Sequence, residues 1–358
     1  MGGRGGTDRL VAMCLAPGAA TALVAGSSVR QAPPDSGEPR ARSRLFDAAE
    51  PLDLRLTADF GAIAKQRGTE KKAQPGVLSY VTPAGDSVKL DVQLSTRGHF
   101  RLGRCQYPPL KVTFDKTQKA QTIFAHEGSS LKLTVQCRGG RSYANYLLEE
   151  YLIYRAYNLL TERSFRVRLA RVTYVDAKGK QPPETRHAFF VEDDDRMARR
   201  TNTQVLEQKG VTQDELNFEQ TGLAMVFQYM IGNTDFAVTA LHNIVLIRDS
   251  TGVVYPVPYD FDWSGVIWTP YAHPDARLPI HSVRERLFRG TCRAPEELTP
   301  LFARFNAQKD SLYALYHGLE TEGLEPKRVK QALDYYDEFY KIINDPGATR
   351  REFLRTCR

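Results

Sequence analysis

From Pro51 to about Val191, apolar and β-branched residues cluster in short stretches with strand character, as in LDLRLTAD, VLSYV, VKLDVQLST, LKVTF, LKLTVQC and FRVRLARVTYV. Side chains of a strand alternate between its two faces, so stretches of this kind predict half-buried strands. One segment inside this region breaks the pattern. From Ser142 to Leu160 apolar residues recur at helical spacing, and Ser142 stands where it would cap the first turn. After Asp193 the helical period takes over. Residues 213–231 predict a helix stopped by Gly232, residues 282–289 a short charged helix, and residues 297–344 amphipathic helix. Between them lie two strands joined by a Ser-Thr-Gly turn, NIVLIRD and VVYPVPYDFD. The expectation is an α+β protein with a strand-rich region at 51–192 and a mostly helical one at 193–358. Ligands of such proteins tend to sit between the two regions.

The segments flanking this body carry other signals. Arg4 and Arg9 precede an apolar, small-residue run from Leu10 to Gly26, with Ala25, Gly26, Ser27 and Ser28 at its exit. This is the pattern of a secretory signal, read here as 1–28, and Pro17 and Gly18 interrupt the run in a way that disfavours a permanent membrane span. Residues 29–50, rich in Pro, Ser, Gly and charge, read as a linker. Export as a periplasmic, secreted or cell-surface protein is therefore expected. Without this segment four cysteines remain: Cys105, Cys137, Cys292 and Cys357. An even count in an oxidising compartment permits two disulfides, and pairs 105–137 and 292–357 would each stay within one half of the chain. Four unpaired thiols fit the count equally well. The formal net charge of +7 spreads over 358 residues without a basic stripe interleaved with aromatics, which argues against a nucleic-acid reader.

The chemistry concentrates in 225–265. An apolar helix ends, Asp235 follows in a loop, Asn243 stands where a strand begins, and the hairpin returns to Asp260-Phe261-Asp262. A tight hairpin brings the end of its second strand back beside the start of its first, so Asn243 and Asp260 should be neighbours. Phosphoryl transfer uses such a set: one carboxylate to receive the proton of the attacking hydroxyl, and an Asn with a second carboxylate to hold the cation that bridges the phosphates. The assignment is Asp235 as catalytic base and Asn243 and Asp260 as metal ligands, with Asp262 behind them or on a second ion. Asp249 reads as plain turn chemistry. The paired Asp260 and Asp262 do not, because carboxylates among Tyr259, Phe261 and Trp263 must be solvated or partnered.

A nucleotide site would also need a strand Lys paired with a helix Glu. Lys132 lies 17 residues before Glu149 (149 − 132), with Glu150 next to it, and Lys111 is the other candidate lysine. The loop holding Arg97-Gly98 and Arg101-x-Gly103 is a candidate cover for phosphates. Glu192 to Asp195 reads as a solvated acidic linker, His242 as a residue that orients its loop, and Arg284 or Arg286 as a partner for an active-site carboxylate.

The run IGNTD…HN…PVPYDFD, with Arg97-Gly98, PPLKVTF and FFVE upstream, resembles the CotH family of spore-coat kinases. The GN-x-D…N…YD part is also similar to HipA-type kinases. The resemblance spans roughly Arg97 to Gly265. It implies an atypical protein-kinase-like, two-lobed fold, use of ATP with Mg²⁺ or Mn²⁺, and phosphorylation of a protein substrate outside the cytosol. Two alternatives accompany it: a pseudokinase or surface-binding protein without turnover, and a metal-dependent phosphohydrolase. The identity of the substrate and the oligomeric state are not written in these motifs.

Overall fold

A computed structural model describes residues 44–66, 68, 71–98 and 100–357, together with the backbone of Ser28 and Val29. In chain order the elements begin with strand β1 (Ser28–Val29), helix α1 (Arg44–Asp47), β2 (Leu52–Ala58), α2 (Phe60–Ala64), β3 (Gln74–Val81), β4 (Ser87–Thr96), β5 (Leu110–Phe114), α3 (Lys116–Lys119) and β6 (Ser130–Val135). The long helix α4 (Arg141–Leu160) follows, then β7 (Val167–Asp176), β8 (Glu184–Val191), α5 (Asp194–Arg200), β9 (Thr203–Glu207) and α6 (Phe218–Ile231). The hairpin β10 (Ile244–Asp249) and β11 (Val254–Pro258) precedes α7 (Pro295–Ala307), α8 (Lys309–Gly318), α9 (Pro326–Ile343) and α10 (Pro346–Thr349).

The alternating strands of the first half do not form an open lobe. They close into a barrel in the order β2-β3-β4-β5-β6-β8-β7. The seam is a parallel pairing of β2 with β7, from Leu52 opposite Ala170 to Ala58 opposite Asp176. The two-lobed protein-kinase-like arrangement implied by the resemblance is therefore wrong for this chain: a closed barrel of seven strands stands beside a helical C-terminal region. Alternation tells which side chains face inward, but not which strand edges meet. The barrel interior is filled with side chains such as Leu56, Leu78, Leu94, Val112, Leu133 and Phe190, all essentially inaccessible to solvent, as in other barrels of this size.

Helix α4 joins the two regions. Twelve of its 20 residues are buried, on all sides, because the barrel lies against one face and the C-terminal helices against the others. Asn145 bonds Glu325, Tyr157 accepts from Gln220, and Glu149 meets Arg328 of α9. Its start is Arg141 rather than Ser142; Gly140 occupies the cap position and provides no side-chain bond. Helix α6 starts at Phe218, capped by Asn217, after a separate 3₁₀ turn over Gln213–Glu215. Gly232 ends it in the left-handed conformation, with φ of 66°. The remaining strands make a second sheet, β1-β9-β10-β11.

The export signal expected over 1–28 lies outside the described residues except for Ser28. The linker read over 29–50 lies outside them from 30 to 43. At its far end Leu45 is buried in the barrel core, so that part is not a linker. Both cysteine pairs, Cys105–Cys137 and Cys292–Cys357, form disulfides. Among the described residues no helix is long and apolar enough to cross a membrane.

Candidate functional site

The left-handed turn at Gly232 throws the chain off the end of α6 into the sequence Asn233-Thr234-Asp235. The Asn233 side chain donates to Gln228 (3.0 Å) and accepts the Asp235 N–H (3.0 Å), which fixes where Asp235 leaves the turn. The eight positions from Asp235 to Asn243 are then folded back on themselves. Ala237 pairs with His242, and the Asn243 amide donates both to the Asp235 carbonyl (2.7 Å) and to its carboxylate (3.1 Å). The other carboxylate oxygen of Asp235 meets His242 Nε2 at 2.9 Å. His242 thus bonds the Asp235 side chain within their shared loop, and its imidazole titrates above the ordinary value, first because of this hydrogen bond, with burial opposing.

The hairpin supplies the other side. Ile244 lies opposite Pro258, and the Tyr259 N–H donates to the Asn243 carbonyl (3.0 Å). Asp260 follows with φ of 60°, and its N–H donates to the Tyr154 hydroxyl on α4 (2.8 Å). Asn243 also sits at positive φ, 54°. Two non-glycine residues in this sparsely populated region at one cleft represent local strain that the surrounding bonds sustain. Asp235, Asn243, Asp260 and Asp262 line one cleft of about 500 Å³ with Arg97, Gly98, Arg101 and Lys132. The cleft lies where the barrel meets the helical region.

Its floor differs from the expectation in one respect. The Arg101 guanidinium is set among three carboxylates: Nε to Asp262 at 2.9 Å, and Nη2 to both oxygens of Glu150 at 3.1 Å and to Asp260 at 3.2 Å. Glu150, Asp260 and Asp262 each bring one oxygen within 4.8 Å of the others, a group able to hold a metal ion. Burial pushes the Glu150 carboxyl up to about 8, against the pull of Arg101. It raises Asp262 as well. Burial alone would depress Arg101, but Asp262 and Glu150 beside it hold it well above its usual range.

The expected pairing of Lys132 with Glu149 or Glu150 does not form. Lys132 reaches Asp194 at the start of α5 and lies over the Phe165 and Tyr259 rings. Glu149 faces away from the cleft, toward Arg328. Of the two lysine candidates Lys132 lines the cleft; Lys111, opposite it on the neighbouring strand, is exposed outside it. Spacing along the chain could not show which face of α4 each carboxylate takes. Residues 282–289 form no helix. Arg284 donates to the Gly265 carbonyl and Arg286 reaches Glu338, so neither serves a site carboxylate. Nor is the acidic run a solvated linker: Glu192 is fully buried against Arg200 and Asp193 caps α5. Sequence reasoning placed Arg101 in a phosphate-covering loop but did not join it to Glu150. It missed Asn233 and the Tyr154 hydroxyl altogether.

A scan against protein-family models matches none, and a search of curated proteins finds no match.

Proposed function

We propose that this chain is an exported, metal-dependent phosphotransferase that moves the γ-phosphoryl group of ATP to a hydroxyl of a protein substrate. The observation that carries the reading is the joining of Asp235 to Asn243 by direct hydrogen bonds, with Asp260 facing the same cleft. Each Asp235 oxygen accepts one hydrogen bond, which aims the carboxylate and leaves lone pairs for a substrate hydroxyl. In the transfer the hydroxyl oxygen bonds to phosphorus and the bond to the bridging oxygen breaks. The proton passes to Asp235, and the electron pair leaves on ADP. Arg97 and, beside its partner Asp194, Lys132 give the cleft cations to meet phosphate oxygens.

The donor set fits a hard divalent cation. The Asn243 NH₂ group is engaged with Asp235, so its carbonyl oxygen is the donor left for a ligand, and Asp260 is 40% exposed toward the cleft. With Asp262 they form an all-oxygen set of the kind Mg²⁺ and Mn²⁺ prefer. Bound there, the ion would neutralise charge between phosphate groups. Two disulfides support an oxidising compartment, and the CotH-like run at 231–262 supports the same class of reaction.

One observation favours the non-turnover reading instead: Arg101 already supplies a cation to the three carboxylates. Incubation of the protein with labelled ATP and Mg²⁺ or Mn²⁺ separates the two. Label transferred by the wild type, and lost in Asp235→Asn and Asp260→Ala, supports transfer. Metal-dependent ATP binding without transfer supports a binding protein. Absence of both refutes the nucleotide reading.

A further inference from the structure

The mouth of the barrel holds a buried cation that the transfer reaction does not use. Side chains alternate along β7, and Ala170, Val172 and Tyr174 belong to the barrel core, so Arg168 points to the same inner side. The parallel seam starts where Leu52 meets Ala170, which leaves Arg168 just beyond it, at the end of the barrel that α1 covers. Only 9% of Arg168 is exposed. Its Nη1 donates to the Leu45 carbonyl (3.3 Å) and to the Ala48 carbonyl (2.7 Å). Nε is buried without a partner, and among the described residues no carboxylate forms an ion pair with the guanidinium. Nη2 has no bond there either and is the nitrogen left for a ligand. Burial pulls the Arg168 titration below its ordinary value, with Glu50 opposing from a longer range. A buried charge without a close counter-charge is costly, and a ligand that supplies one lowers that cost.

We infer that the cavity at Arg168 binds a small amphipathic monocarboxylate, its carboxylate on the Arg168 guanidinium and its aliphatic body along the barrel rim. The cavity measures about 760 Å³, within the range of small-molecule sites, and shares no lining residue with the cleft at Asp235. Its surface is mostly apolar. Leu54 and Tyr80 are buried beneath it, whereas Leu52 and Ile123 are half-buried and Val81 is 64% exposed, so an occupant covers apolar surface still open to water. The lining also fixes the ligand's charge. Arg171 and Asp53 match each other at 2.7 and 2.8 Å. Arg55 and Glu50 are both exposed to solvent and opposite in sign. Three arginines thus stand against two carboxylates, and the surplus charge is the buried one, so a single negative group balances the cavity. The remaining polar lining is serine and threonine hydroxyls, which carry no charge.

The test uses the full-length protein and isothermal titration with octanoate, 1-octanol, octanedioate and octylammonium. Octanoate should bind at least about tenfold more tightly than the alcohol or the dicarboxylate, the scale of one charge-assisted hydrogen bond, and octylammonium should not bind. Arg168→Gln should bring octanoate and octanol to the same affinity. Val81→Glu places a negative charge at an exposed rim position. It should weaken octanoate about tenfold while the thermal midpoint of the unliganded protein stays as in the wild type. That variant decides the question if Arg168→Gln does not fold. Equal affinity of the wild type for octanoate and octanol, or for octanoate and octanedioate, overturns the inference. So does binding of octylammonium, a folded Arg168→Gln that still prefers octanoate, Val81→Glu that binds octanoate as the wild type does, or no octanoate bound at millimolar concentration.

Discussion

Replacing Arg101 by Gln tests the floor of the cleft. The guanidinium makes four contacts of 2.9–3.2 Å to three carboxylates. Side-chain exposure is 12% for Arg101, 4% for Glu150 and 9% for Asp262, so these charges are buried. Asp260, at 40%, is solvated and adds little. Removing one partner from a buried ion pair costs about 3–5 kcal/mol, because the other charge is left unmatched. Glu150 softens that loss by taking up a proton, since burial already pushes it up to about 8. A carboxyl raised in the folded state favours folding at low pH and loses that contribution as pH rises toward its folded value. The cost of Arg101→Gln should therefore lie at the lower end near pH 6 and grow toward pH 9. Urea unfolding with matched slopes measures it. Mn²⁺ should recover part of the loss by taking the place of the guanidinium, and saturation at 100 times its dissociation constant is worth about 2.7 kcal/mol. A change below about 1 kcal/mol at every pH, or no response to Mn²⁺, would refute the argument, since a buried pair cannot be broken so cheaply.

Gly232→Ala should destabilise by at least about 2 kcal/mol, because its Cβ would run into the Tyr335 hydroxyl at a residue that already has positive φ. Gly252→Ala, also at positive φ but with open space around it, should cost about 1 kcal/mol, and thermal midpoints of the pair separate clash from strain. His187, half-buried on β8, is held below its ordinary value of 6.5 first by burial, with Arg171 in the same direction and Glu322 against it. The unfolded chain then binds the extra proton, so stability should be present above 6.5 and fall as pH drops through the folded value. His187→Gln should flatten that slope in unfolding measured from pH 5 to 7.

What was legible in the sequence was local. Gly232 as a stop, the meeting of Asn243 with the end of the hairpin, and the need of Asp260 and Asp262 for partners all follow from turn and burial chemistry within some forty residues. The eight positions from Asp235 to Asn243 are drawn together by the Ala237–His242 bridge, which the residue spacing does not announce. What was hidden was long-range. Arg101 reaches Asp262 across 161 positions and Glu149 reaches Arg328 across 179, and nothing in the spacing of either residue announces its partner. Residues 282–289 fit a helical pattern, but Arg284 and Arg286 find better company on the Tyr335 ring than in a solvated turn of helix.

The seam between β2 and β7 joins residues that stand 118 positions apart, as Leu52 does from Ala170 (170 − 52). The pairs from β2 through β6 join strands consecutive in the chain, yet β2 keeps its other edge bare until β7 has been made. A contact of such span is reached late and slowly, and a bare edge invites the wrong strand meanwhile. The first strand of the barrel thus waits for the sixth, and conditions that delay the stretch 167–176 should show up as aggregation through Leu52–Ala58 rather than as loss of the finished cleft.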